Sequence, residues 1–219
     1  MYDHGQGTVQ SASQAFAWYE KAATQGHIVA QYTAGMRYRN GRGVTKDSLS
    51  AYPWLLEAGN NGHAAAQYEV GYMMYYGVCG PKDWWRAHDW YSKAATQGHA
   101  AAQYNLGNMY YKGQPASKDY SRAFDWYQKA ANQGHVSATN SVGNLYCVGH
   151  GVDQDYSKAA FWYLKAAEKG DAGAQNSLAV LYEIGLGVPE DERKAIEWYQ
   201  KAVDGGYTDA QKALDRLKE

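Results

Sequence analysis

Six tryptophans stand 36 residues apart, at Trp18, Trp54, Trp90, Trp126, Trp162 and Trp198, with no insertion or deletion between them. Ala15, Ala51, Ala87, Ala123, Ala159 and Ala195 keep the same spacing, as do Gly26, Gly62, Gly98, Gly134, Gly170 and Gly206. A fixed period of this size marks a repeat array, in which each unit buries its apolar face only against its neighbours. The expected organisation is one elongated repeat domain over 1–219: a partial repeat 1–27, complete repeats 28–63, 64–99, 100–135, 136–171 and 172–207, and a closing helix 208–219. Residues 1–7 align with 37–43, so the chain is expected to begin partway through a repeat, as part of a longer protein or after loss of a leader.

One unit, residues 100–135, shows why the period is a helical hairpin. In AAQYNLGNMYYKG the recurring positions Ala102, Gln103, Leu106, Gly107 and Tyr110 fall on one side of a helix, here helix A. Gly113, with Gly41, Gly77, Gly149 and Gly185, suits the left-handed residue that ends it. Asp119, with Asp47, Asp83, Asp155 and Asp191, stands before the next periodic segment and is expected to cap it. Helix B, YSRAFDWYQKAANQ, carries the stripe Ala123, Trp126, Tyr127, Ala130 and Ala131. Its alanines allow close helix approach, and Trp126 is expected to be largely buried beside them. The last segment, TDAQKALDRLKE, keeps Ala210 and Gln211 but turns highly charged, as the end of a solenoid requires.

The totals exclude several classes. Apolar residues make up 45% of the chain, ordinary for a folded protein. A net charge of −1 provides no global field for nucleic acid or anionic membrane. No apolar run approaches a membrane span, and no basic-then-apolar leader is visible. Cys79 and Cys147 lie nearly two repeats apart, too far to bridge, and are expected to be free thiols. That mildly favours the cytoplasm; a periplasmic site follows if a leader was removed. No cofactor is expected.

Candidate chemistry dissolves on inspection. His27, His63, His99 and His135 form a row, but it continues as Asp171 and Tyr207 and its members sit a full repeat apart, so no metal is expected and a packing role at the start of helix A is. The paired glycines Gly41–Gly43 and Gly185–Gly187 lack the strand context of a phosphate loop. No serine or cysteine has a motif partner that would make it a nucleophile, and the chain is read as non-enzymatic. Local departures remain. Pro53 is expected to interrupt its helix, Gly59 replaces an alanine, and Cys79 and Pro115 replace a loop glycine in GVCGPKD and GQPASKD.

The segments AAQYNLGNMYYKG, AFDWYQKAANQGH and IGLGVPEDERKAIEWYQKA closely resemble the Sel-one-like repeat family, relatives of the tetratricopeptide repeat, and the resemblance covers essentially the whole chain. It implies an all-α, right-handed superhelical solenoid of helix-turn-helix repeats, with A helices lining a concave face and B helices a convex one. It also implies an adaptor or scaffold, many such proteins being bacterial. The alternative it offers is an immunity or inhibitor protein that neutralises a secreted toxin or hydrolase. A cysteine-rich branch is linked to β-lactam binding, but it carries a cysteine pair in each repeat and this chain does not, so that activity is not carried over.

The positions of helix A opposite its packing side vary between repeats and are the candidate partner surface. They include Tyr32, Met36, Tyr68, Tyr72, Tyr76, Tyr104, Asn108, Asn140 and Asn144, flanked by Arg39, Tyr75 and Tyr111. Tyrosine offers large area, a hydroxyl and little rotamer entropy to lose. The column Tyr32, Tyr68, Tyr104 recurs, so packing between adjacent A helices is an equal reading for it. Trp85, at the start of a B helix, is a candidate contact on the convex face. The expected partner is a protein or peptide, with no nucleic acid and no membrane insertion, and the chain is expected to be a monomer.

Overall fold

The computed structural model describes residues 11–218. The expectation for residues 1–7 lies outside them. Among the described residues there are twelve α-helices and no strand. The chain divides into two compact units, Met1–Ala102 and Gln103–Glu219, and the boundary falls in the first turn of α6.

The first unit holds α1 (Ala12–Thr24), α2 (Ile28–Asn40), α3 (Ser48–Asn60), α4 (Ala64–Tyr76) and α5 (Trp84–Thr96). The second holds most of α6 (Ala100–Lys112), then α7 (Tyr120–Asn132), α8 (Val136–Val148), α9 (Tyr156–Ala167), α10 (Ala172–Ile184), α11 (Glu192–Asp204) and α12 (Ala210–Lys218). Within each unit, helix A packs most extensively on the helix B that follows it, as in α2 with α3 or α8 with α9. The B helices α1, α3, α7, α9 and α11 also pack on the A helix that follows each.

Local chemistry sets the ends. The carboxylates of Asp47, Asp83, Asp119, Asp155 and Asp191 accept the backbone N–H of Leu49, Arg86, Arg122, Lys158 and Lys194 at 2.9–3.0 Å, capping all five described B helices that follow a loop. Gly41, Gly77, Gly149 and Gly185 end α2, α4, α8 and α10 in the left-handed conformation. The histidines cap too. Nδ1 of His63, His99 and His135 accepts the N–H of Ala66, Ala102 and Ala138 at 3.2–3.3 Å. Asp171 does the same work at 2.8 Å toward Ala174. The column therefore selects for an acceptor rather than for imidazole.

Glutamines of helix A tie their hairpin to the preceding B helix at Gln31, Gln67 and Gln175. Gln67 Nε2 donates to the Gly59 carbonyl at 3.0 Å, and Gln175 Nε2 to Ala167 at 3.1 Å. These are carbonyls at the C-terminal end of a B helix, which have no partner within it.

Two expectations change. Pro53 does not break α3, which runs unbroken from Ser48 to Asn60. Proline there deprives the Leu49 carbonyl of its helical donor, but Leu49 and Pro53 are both exposed, so water can serve that carbonyl. The edge that packs, Ala51, Leu55 and Ala58, is fully buried and keeps the helix continuous through the proline.

The second correction concerns the Trp-Tyr pair. Trp126 is half-buried, and the residue filling the core is Tyr127, only 3% exposed. Tyr91, Tyr163 and Tyr199 repeat this, and Leu55 replaces the ring in the first hairpin. The tryptophans lie one position round the helix, and all but Trp54 are partly covered by the lysine three residues on. Lys129 sits 4.2 Å from the Trp126 ring centroid and Lys201 3.9 Å from that of Trp198. Trp90 is the buried member of its column, and Gly59 explains it: a Cβ there would meet the Trp90 ring at 3.1 Å.

Candidate functional surface

In the first unit the structure brings one group of candidate residues together. Tyr72, Tyr75 and Tyr76 form an aromatic cluster on α4, with ring centroids 4.5 Å apart for Tyr72–Tyr76 and 4.9 Å for Tyr75–Tyr76. Arg39, from α2, places its guanidinium 4.8 Å from the Tyr72 ring centroid and pairs with the carboxylate of Glu69. Glu69 is buried, so its charge needs that partner. Tyr76 is 52% exposed, whereas Tyr72 and Tyr75 are half-buried. The result is a face with a fixed cation, an apolar area and phenol groups.

Glu69 was missed in sequence, although a signal existed. Its column otherwise reads Thr33, Asn105, Ser141 and Ser177, so it is the one carboxylate among small polar residues. It stands opposite the only cation in the column Arg39, Tyr75, Tyr111, Cys147, Glu183.

The neighbouring candidates are tied to the scaffold. Tyr32 stacks on His63 with centroids 4.4 Å apart, and Tyr68 stacks on His99 at 4.8 Å. Each ring thus shields a histidine cap. Burial holds the imidazoles of His63 and His99 below the usual histidine range, and pushes the Tyr32 phenol up. Met36 is half-buried against the cluster of Leu55 and Val70. Trp85, on α5, is 66% exposed.

In the second unit Tyr104 repeats the stacked pair, 4.7 Å from His135, whose imidazole burial also holds low. At the next repeat both partners change together: Asn140 replaces the tyrosine, Asp171 the histidine, and Asn140 Nδ2 donates to Asp171 Oδ1 at 3.2 Å. Asn108 and Asn144 are engaged as well. The Tyr127 hydroxyl donates to Asn108 Oδ1 and the Tyr163 hydroxyl to Asn144 Oδ1, both at 2.7 Å. Tyr111 is exposed and packs edge-on to Tyr120 at 5.2 Å, and Tyr120 in turn stacks on His150 at 4.3 Å.

Among the described residues, no three His, Cys, Asp or Glu side chains converge in a way that could hold a metal ion. Cys79 and Cys147 are free. No helix among the described residues is long and apolar enough to cross a membrane.

With this geometry in hand, similarity to known proteins is specific for fold and family. The chain is similar to a protective antigen with an SLR fold present in uropathogenic Escherichia coli strains, at 33% identity and a TM-score of 0.92. The match covers 99% of this chain and 46% of the antigen, so this chain spans about half of that protein's length. It is similar to a Sel1 repeat protein from Oxalobacter formigenes at 34% identity and a TM-score of 0.87, covering 95% of this chain and 83% of the other. An immunity protein from Pseudomonas aeruginosa shares the fold, with 23% identity, a TM-score of 0.56, and coverage of 91% and 76%. No curated protein matches the chain. The Sel1 repeat matches residues 1–27, 28–63, 64–99, 100–135, 136–171 and 172–207. Repeat by repeat, the chain belongs to the Sel1 repeat family.

Proposed function

We propose that this chain is a non-enzymatic adaptor that holds a protein or peptide partner on its A-helix face, with the recognition centre at Tyr72, Tyr75, Tyr76 and Arg39. The observation that carries this reading is the aromatic cluster itself. Three tyrosine rings meet on α4; the Tyr72 and Tyr76 columns hold no other tyrosine, reading Met36, Asn108, Asn144 and Val180 in one and Asn40, Lys112, Val148 and Ile184 in the other, and the Tyr75 column repeats the residue only at Tyr111, so the scaffold does not require them. Tyrosine and arginine are the residue types that dominate binding hot spots. Arg39, already paired with Glu69 and stacked on Tyr72, is preorganised, so little side-chain entropy remains to be lost on binding. In this reading the chain acts as a monomer, takes no cofactor, inserts in no membrane and binds no nucleic acid. Tyr104, Asn140 and the engaged oxygens of Asn108 and Asn144 serve the scaffold first, and Tyr111 is a separate exposed contact candidate within the second unit.

The test is affinity capture from the source organism with the unaltered chain and with Tyr72→Ala/Tyr76→Ala side by side, followed by mass spectrometry. A partner retained by the first and lost by the second supports the reading. A partner retained equally by both overturns the placement. One tight obligate partner that is a secreted toxin or hydrolase would identify an immunity protein, and several partners an adaptor.

A further inference from the structure

The repeats carry a small motif on the opposite side of helix A, and one of them lacks its central ring. In the second unit, Asp119 pairs with Arg122, Asp155 with Lys158 and Asp191 with Lys194. Each cation also sits over a tyrosine of the preceding A helix: Arg122 5.5 Å from the Tyr110 centroid, Lys158 5.4 Å from Tyr146, and Lys194 5.1 Å from Tyr182. The hairpin 64–99 keeps the first two members, Asp83 and Arg86, paired at 3.5 Å. The third position, 36 residues before Tyr110, is Met74.

A second side chain is missing at the same place. Val44, Val152 and Val188 pack onto their hydrophobic clusters from the loop after helix A. The equivalent residue in the loop of this hairpin is Gly80. Losing a ring and a valine together leaves an open cavity of about 190 Å³, lined by Tyr52, Met73, Met74, Cys79, Pro81 and Arg86. A cavity of about 150 Å³ takes a benzene ring. The loop is anchored around the gap rather than collapsed into it, because the Cys79 thiol donates to the Ser48 carbonyl at 3.2 Å.

We infer that this cavity is an anchor pocket for one aromatic side chain of a partner polypeptide, which takes the place of the ring this repeat omits and lies beneath the Arg86 guanidinium. The sister repeats show the occupant, an aromatic ring under a cation. The surroundings favour a polypeptide over a free small aromatic. Trp84 and Trp85 lie between the pocket residues Asp83 and Arg86 in the chain and are exposed, and Leu49, next to Ser48, is 69% exposed. These apolar groups would cover the residues that flank an anchor. The pocket rests on the protein-binding reading but not on its site, since Met74 and Tyr72 lie roughly 200° apart around α4.

The methyl signals of Met73 and Met74 report occupancy directly. N-acetyl-tyrosinamide added to the isotope-labelled full chain should move both to saturation, and N-acetyl-leucinamide should move them far less. Absence of a saturable shift, or equal shifts from both probes, overturns the inference. Met74→Tyr restores the sister ring and should abolish the Met73 shift. Arg86→Gln, which leaves the core untouched, should weaken binding roughly two- to fivefold, the range of an exposed cation–π contact; unchanged affinity in either variant counts against the pocket. A peptide with one tyrosine between leucines should bind about tenfold tighter than the amide, and Trp85→Ser should erase that gain. Equal affinity of peptide and N-acetyl-tyrosinamide would mean a small-molecule site and overturn the polypeptide assignment. Tyr72→Ala/Tyr76→Ala should leave all of this unchanged, so failure of the pocket and failure of the tyrosine face are told apart.

Discussion

Gly107 lies flat against the ring of Tyr127. A Cβ built on Gly107 would sit 2.6 Å from that ring, and Gly71 and Gly143 meet Tyr91 and Tyr163 in the same way, 20 residues on. Where alanine replaces the glycine, at Ala179, the facing Tyr199 donates its hydroxyl to Glu183 at 2.6 Å, further along the helix than the Asn108 that Tyr127 uses. Gly107→Ala should therefore overpack the contact and cost about 1–3 kcal/mol, with loss of the Tyr127–Asn108 hydrogen bond. Urea titration checks it, and a change below about 0.5 kcal/mol, the range of an ordinary surface substitution, would show that the ring can retreat freely.

The Trp-Tyr pair should separate cleanly. Tyr127→Ala removes a buried ring and should cost about 3–5 kcal/mol. Trp126→Ala should cost clearly less, because its ring is half exposed and partly covered by Lys129. Trp85→Ala should be nearly silent for stability. The three midpoints, measured in one denaturant series, should rank in that order.

Stability should fall between neutral and mildly acidic pH. His63, His99 and His135 cap helices through Nδ1, which must be unprotonated to accept, and burial holds all three below the ordinary histidine value. The unfolded chain takes up protons near pH 6.5, before the folded chain does. The stability they contribute is thus complete above about pH 6.5 and is lost as pH falls through the depressed folded values. The carboxylates of Asp155 and Asp191, held low by the N–H groups they accept, act only in a more acid window. Denaturation midpoints at pH 7 and pH 5 should differ for the unaltered chain and differ less for His99→Asn/His135→Asn. An unchanged difference would contradict the assignment.

Metal and thiol chemistry should leave the fold alone. Chelator should not shift the melting temperature of dialysed protein, and Cys79 and Cys147 should both react with a thiol reagent after unfolding without prior reduction. A melting transition that drops with chelator, or fewer than two reactive thiols, would be the contrary result.

The period, the helix ends and the aspartate caps are legible in sequence because they are local: a cap needs only its own residue and the N–H groups two or three positions on. The burial of Tyr127 in preference to Trp126 is not local. The two rings are adjacent on one apolar stripe, and the choice is made by Gly107 on the facing helix. Variation was likewise an incomplete guide to the surface. Asn108 and Asn144 sit in a variable column yet accept from buried tyrosines, and Asn140 differs from Tyr104 because its partner differs too. The cluster of Tyr72, Tyr75 and Tyr76 was visible as residues, but its link to Glu69 through Arg39 needed the packing of α2 on its neighbours.

The most direct measurement is the affinity of the captured partner for three forms of the full chain: unaltered, Tyr72→Ala/Tyr76→Ala, and Trp85→Ala. The tyrosine face predicts that the double change weakens binding at least about tenfold, roughly 1.4 kcal/mol, with the melting temperature within a few degrees of the unaltered chain. Full affinity after the double change, with a loss on Trp85→Ala alone, would place recognition on the B-helix side and contradict the tyrosine-face reading.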